Sequence, residues 1–443
     1  MATFDDEPGM GPVDSDQEDT VRRSRAIGIP PAFRHPKYRA YWLGFFLAVS
    51  GHQIFQFVQF VLVYELTGSV VALGVLGAAN AAPTILLGVI GGVFADRWEK
   101  RRLIITTQFV SGTAVLLLAV LTSVRLVEVW HVLAVAIVVS TVGAFDAPAR
   151  SAYYPKLIPQ SAMISAVALN STIWQATRII GPAVAGVIVG TVADVPLDGM
   201  AVALYIAAGG YVAMVVAMLW VRLSGHGESK GNPLRNLVDG LKYIRADRNL
   251  FTLIMLAFAS ALFGWSYVIL MPVFALDVLG LEEDGLGALL AAAGVGATVI
   301  TVTLAVLDIP LLQRRGWFVV GGSITNGLLI IGFALTADRV GSFPLALVFM
   351  FFLGFTQMVY TTGTMGSIQL MIPDAMRGRV LGVYGIVWGI QPLSGTLVAF
   401  IARYVGVPAA VAIGGAALVT AAVLAVMVNP DLRHLRIDEQ TED

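Results

Sequence analysis

The chain has 443 residues, of which 57% are hydrophobic and 13% charged, with a net charge of −1 and no cysteine. Soluble domains carry about 25% charged residues, so a chain this apolar is not an ordinary globular protein. The lack of cysteine excludes disulfides, thiol catalysis and Cys-ligated metal.

The first 33 residues form an acidic leader carrying Asp5, Asp6, Glu7, Asp14, Asp16, Glu18 and Asp19, with Gly9 and Gly11 among them. Such a composition predicts a disordered tail. No cleavable signal peptide is expected, because the first apolar run starts near Ala40, behind polar residues, and is too long for an h-region. Twelve apolar stretches follow. They are expected as helices over 40–66, 71–95, 103–124, 130–152, 162–193, 200–221, 250–279, 285–307, 316–337, 343–370, 378–402 and 407–428. Each reaches roughly the 20 residues a helix needs to cross about 30 Å of hydrocarbon.

The basic residues sit at alternate breaks. Of 28 Lys and Arg residues, Arg125, Arg339 and Arg403 occupy one set of connections and Arg178 lies inside a span; the rest all fall on the other side. The positive-inside rule then places both termini and the central segment in the cytoplasm. The expected fold is an all-α membrane protein of the inner (plasma) membrane, with twelve transmembrane helices in two six-helix bundles. The bundles are read as 34–222 and 250–429, joined by a cytoplasmic linker at 223–249 and followed by a tail at 430–443. Weak internal similarity supports a duplication: Leu157-Ile158-Pro159-Gln160 recurs as Met371-Ile372-Pro373-Asp374, each at the entry to the fifth helix of its half.

Polar residues inside the spans are the site candidates, since polar groups facing lipid cost several kcal/mol. The first span carries His52, Gln53, Gln56 and Gln59, with 52, 56 and 59 on one helical face. The fifth carries Asn170, Trp174 and Arg178 at four-residue spacing, with Gln175 beside them. The second half offers Trp265, Tyr267, Gln357, Tyr360, Tyr384, Trp388 and Gln391. Aromatic rings and amides together suit an amphipathic organic cargo in a wet cavity; interhelical hydrogen bonding without cargo is the plainer alternative for any one of them. Arg178 is expected to face the cavity and hold an anionic or carbonyl-rich part of the cargo, or a titrating acid. Asp146 and Glu65, the acids considered as its partners, are not mid-membrane.

The most specific motif joins the second and third spans: Gly92-Val93-Phe94-Ala95-Asp96-Arg97, followed by Lys100, Arg101 and Arg102. It resembles the signature loop of the major facilitator superfamily, with Glu99 where that pattern usually has Gly. Glu65-Leu66-Thr67-Gly68, Phe145-Asp146-Ala147-Pro148-Ala149-Arg150 and Arg377-Gly378-Arg379-Val380 are similar to the branch containing enterobactin exporters and macrolide-efflux proteins. Arg178-Ile179-Ile180-Gly181-Pro182 through Gly186 resembles the fifth-helix motif of antiporters in the superfamily. Gly181, Pro182 and Pro392 are expected to kink their spans. The second half's own signature loop is degraded, with Asp308 followed by Ile309-Pro310 before Arg314-Arg315.

The resemblance implies proton-driven export of a small molecule by alternating access, with Gly92, Asp96, Arg97, Arg101, Asp146 and Arg150 in the conformational switch. A transport-dead receptor or assembly protein on the same fold is the alternative. The sequence has no phosphate-binding Gly-x-x-x-x-Gly-Lys-Ser/Thr loop and no His-Glu-x-x-His zinc motif. No cofactor, metal or nucleic acid is expected. The expected partners are a small-molecule substrate, the lipid bilayer and protons, with the chain acting as a monomer.

Overall fold

The computed structural model describes residues 30–191, 196–223, 233–281, 283–306 and 315–434. Outside the described residues lie the leader up to residue 29, the degraded loop at 307–314, the tail from 435, and the side chains of Gly92, Asp96, Arg97, Gln175 and Arg377. Among the described residues, twelve segments are long and apolar enough to cross a membrane. The first six helices are Pro36–Thr67, Val70–Arg97, Lys100–Ser123, Val129–Tyr153, Met163–Thr191 and Pro196–Trp220. The seventh span is Arg248–Val278. Glu283–Val306, Arg315–Val340 and Phe343–Met371 follow, then Asp374–Ile390 with Leu393–Val405 as the eleventh span, and Val407–Val428.

Several helices begin or end up to a turn beyond the expected apolar stretch. Hydropathy detects the hydrocarbon crossing, whereas the backbone goes on hydrogen-bonding through interfacial turns such as Pro36-Lys37-Tyr38-Arg39. Pro36 stands in the first turn, where its missing N–H costs nothing. Gly68 closes the same helix in the left-handed conformation, φ 56°, with its N–H on the Tyr64 carbonyl at 2.7 Å.

Within the first six spans, the first packs on the sixth and fifth, the third on the sixth and fourth, and the second on the fourth. In the second six, the eighth packs on the tenth and the ninth on the tenth and twelfth. The halves meet where the second span crosses the eleventh and the fifth crosses the eighth. At the latter crossing a Cβ on Gly287 would sit 2.8 Å from the Gly186 Cα, so the backbones approach as closely as they do because neither carries a side chain. An even number of spans puts both termini on one side; the opposite side is called the far side below.

Two spans are interrupted. The seventh breaks at Gly264-Trp265, resumes in short turns, and ends in a π-helical turn, Phe274–Val278. The eleventh breaks at Gln391-Pro392. Pro182, by contrast, sits inside the unbroken helix Met163–Thr191. The described part of the linker is helical rather than irregular. It holds the helix Pro233–Ala246, whose Leu237, Gly240 and Ile244 pack toward the start of the eleventh span while Lys242 and Arg245 are exposed. Asp239 pairs with Arg379 at 3.3 Å there.

Candidate substrate site

The polar residues of the first span belong to a hydrogen-bonded chain through the first half. The Tyr211 hydroxyl lies 3.0 Å from His52 Nδ1, and Gln56 Nε2 lies 3.5 Å from His52 Nε2. Gln59 donates to Gln56. Asn80 donates to Gln59 at 3.4 Å and to the Leu76 carbonyl at 3.0 Å, and Ser140 donates to Asn80 at 3.3 Å. Four spans are thereby tied together by neutral groups that would be costly unpaired. The 52/56/59 spacing does put these side chains on one face, but at different depths. His52 and Gln56 are half-buried, whereas Gln59 and Asn80 are buried. Gln53 packs against Gly181 where the first span crosses the fifth.

Asp146 is buried among polar partners. Arg150 pairs with it at 2.9 Å, Thr107 donates to it at 2.8 Å and Gln108 at 3.1 Å. The Arg150 guanidinium also lies 4.6 Å from the Phe45 ring centroid. Arg101 donates from Nε to the Met218 and Val221 carbonyls at 2.9 and 3.0 Å, and from its terminal nitrogen to Leu219. It thus caps the carbonyls left free at the end of the sixth span. Glu99 has φ −64° and ψ 110°, an ordinary extended conformation, so this position needs no glycine. Glu99 pairs with Arg102 at 2.6 Å.

On the fifth span, Asn170 accepts from the Tyr38 hydroxyl at 3.3 Å. Trp174 is exposed and edge-on to Phe45. Arg178, near the middle of the helix, reaches into the other half. Its guanidinium carbon lies 5.1 Å from the Trp265 ring centroid and 5.8 Å from that of Trp388. Trp265 owes its position to the break in the seventh span beside Gly264.

Below these indoles a cleft in the second half is lined by Ser260, Trp265, Tyr360, Tyr384, Trp388 and Gln391, with Thr361 and Thr364 adding hydroxyls. The space in it open to a water-sized sphere is about 30 Å³. Tyr267 and Gln357 are instead buried, with the tyrosine donating to the amide at 3.1 Å. Sequence reasoning missed Ser260, Thr361 and Thr364, although Gln357, Thr361 and Thr364 share a helical face. It also missed Asn80, Ser140 and Tyr211, whose partners lie far away in the chain.

The halves are joined on the far side. The Tyr64 hydroxyl donates to Asp277, which the sequence did not single out and which lies in the π-helical turn. Thr396 donates to the Gly74 carbonyl at 2.7 Å. The cleft lies on the termini side of these contacts. No group of three or more His, Cys, Asp or Glu able to hold a metal occurs among the described residues. The arrangement offers binding surfaces rather than reacting groups.

Residues 29–441 match the family described as transmembrane secretion effector, MFS_3. The chain is 25% identical to the staphyloferrin A transporter of Staphylococcus aureus, over 83% of this chain and 90% of that one. It is 22% identical to macrolide efflux protein A of Streptococcus pyogenes, over 90% of this chain and 97% of that one. Among solved structures, the inward-facing state of a bacterial homologue of the iron transporter ferroportin is similar at a TM-score of 0.65 and 16% identity, covering 88% of this chain and 98% of that one; this likeness concerns the fold. The family match spans nearly all of the chain, and with its twelve apolar helices the chain belongs to the transmembrane secretion effector family of the major facilitator superfamily: a multi-pass inner-membrane transporter of small molecules, not an enzyme.

Proposed function

We propose that this protein is a proton-coupled exporter of small amphipathic molecules of siderophore, drug or macrolide type. It works by alternating access, as a monomer with both termini in the cytoplasm. The observation that carries this reading is the split site: Arg178 from one half lies against Trp265 and Trp388 from the other, at the rim of the cleft. A site built from both halves is the kind that rocking of one bundle against the other would open and close. The positive-inside asymmetry supports cytoplasmic termini. The cleft then faces the cytoplasm, as a loading state for export requires, while Tyr64–Asp277 and Thr396–Gly74 hold the far side together. Gly92, Asp96, Arg97, Arg101, Asp146 and Arg150 form the switch, with Asp96 meeting residues 377–380 when the termini side closes.

The test is flux in proteoliposomes. A cargo is first found by thermal-shift screening of siderophores, macrolides and dyes, since a ligand stabilises the state it binds. The expected result is accumulation driven by a pH gradient, with protons moving when cargo is added. A ligand that binds but shows no proton-dependent flux would point instead to a receptor or assembly protein on this fold.

A further inference from the structure

Arg178 is a permanent cation in the middle of a membrane helix, and its charge is met by two aromatic faces. That contact stabilises the positive charge, but among the described residues the fork of N–H donors has no acceptor. Asp146 is engaged by Arg150, Thr107 and Gln108, and Asp277 by Tyr64. Among the described residues no acid pairs with Arg178. A second polar group in the cleft is also unpartnered. Ser260 is 2% exposed, lines the cleft, and its Oγ has no hydrogen-bond partner. The rings of Trp265, Tyr360, Tyr384 and Trp388 also line the cleft, and Arg178 lies against the first and last of them.

We infer that Arg178 and this cleft form a subsite for a carboxylate-bearing aromatic group, and that they select anionic cargo against cationic cargo. The ring would lie among the indole and phenol faces. Its carboxylate would take the guanidinium fork in a bidentate pair, whose planar geometry suits it better than an amide. Ser260 would supply a further hydrogen bond. A cationic group in the same place would meet Arg178 at short range in a medium of low dielectric and be repelled. The space open to a water-sized sphere is about 30 Å³, far below the roughly 300–1,000 Å³ of ligand sites. The lining rings must therefore part to admit a one- or two-ring group, and the remainder of a larger cargo would lie between the halves. The inference rests on the reading of the cleft as the cargo path.

Three probes with one ring system test it: 1-naphthoate, 1-naphthamide and 1-naphthylmethylammonium, with charges of about −1, 0 and +1 at neutral pH. Binding to the purified full-length protein in nanodiscs is read by saturable quenching of tryptophan fluorescence. Naphthoate should bind at least ~10-fold more tightly than the amide, corresponding to ~1.4 kcal/mol, and the ammonium more weakly than either. Arg178→Met should abolish the preference for naphthoate over the amide, and Arg178→Lys should keep part of it. Equal binding of the three probes, or tighter binding of the ammonium, overturns the inference, as does an Arg178→Met protein that keeps the preference. If Arg178→Met does not fold, the ranking on the unaltered protein decides, with Trp388→Leu expected to weaken all three. Active proton-driven flux with equal probe binding would overturn the subsite alone. The expected ranking without flux would overturn the transport reading alone.

Discussion

Asp146 and Arg150 invite a quantitative test, because the structure makes them a buried pair rather than a loop charge. Their side chains are 5% and 14% exposed and 2.9 Å apart. Asp146→Leu removes the carboxylate and strands a guanidinium whose other described contact is the Phe45 ring. Breaking a buried pair from one side costs about 3–5 kcal/mol, and a cation–π contact recovers about 0.5–2 kcal/mol at most, a contact the folded protein already has. Gln108 also loses its acceptor, about 1 kcal/mol, whereas Thr107 keeps a bond to Ile104. The single variant should therefore lose about 3–5 kcal/mol. Asp146→Leu with Arg150→Met replaces both charges by apolar side chains, which is often neutral. The double variant should regain most of the loss, a coupling of about 2–3 kcal/mol. Reversible unfolding in mixed micelles measures both. The reasoning is refuted if Asp146→Leu stays within about 0.5 kcal/mol of the parent, or if the two single losses simply add. A double variant that is stable but cannot transport would assign the pair to the switch as well.

Asp96→Asn should give normal membrane yield and no transport; full flux in that variant would reject Asp96 as a switch residue. Gln56→Leu and Gln59→Leu should differ. Gln56 is half-buried, so its loss should change cargo affinity, whereas the loss of buried Gln59 takes a partner from Asn80 and should cost about 1 kcal/mol of stability; equal behaviour in binding and unfolding assays would contradict this. With no native cysteine, Cys at Ser69 or Ser342 should react with an impermeant maleimide from outside and Cys at Ser229 should not, and the reverse pattern would invert the orientation. Gly287→Leu should disrupt the crossing with Gly186, seen as lost monodispersity on gel filtration, and a well-behaved variant with full flux would show that the close approach is dispensable.

The span pattern was legible because a bilayer demands about 20 apolar residues per helix and internal satisfaction of every backbone group. The candidate site was legible in part for the same reason: a charge such as Arg178 inside a span is conspicuous. What it touches was not legible, since Trp265 reaches Arg178 through a helix break that hydropathy does not register. Pairings between distant segments were likewise hidden. Asp277 lies at the end of an apolar run and gains meaning only beside Tyr64. Arg101 was read as part of the switch motif, and its capping of the sixth span became visible only once the end of that span was placed beside it. The linker helix was masked by its charges, which occupy the solvent face of an amphipathic pattern.

If the two bundles rock about a split site, a reversible lock on the far side must stop transport. A Cβ built on Gly74 lies 2.8 Å from the Ala399 Cβ, closer than the roughly 3.5–4.5 Å a disulfide spans, so Gly74→Cys with Ala399→Cys should crosslink once the second and eleventh spans part by about 1 Å. Proton-driven flux of the cargo found by screening is then measured in proteoliposomes, oxidised and reduced. Oxidation should stop flux while cargo still binds from the termini side, and reduction should restore flux. Undiminished flux in fully crosslinked protein would contradict alternating access.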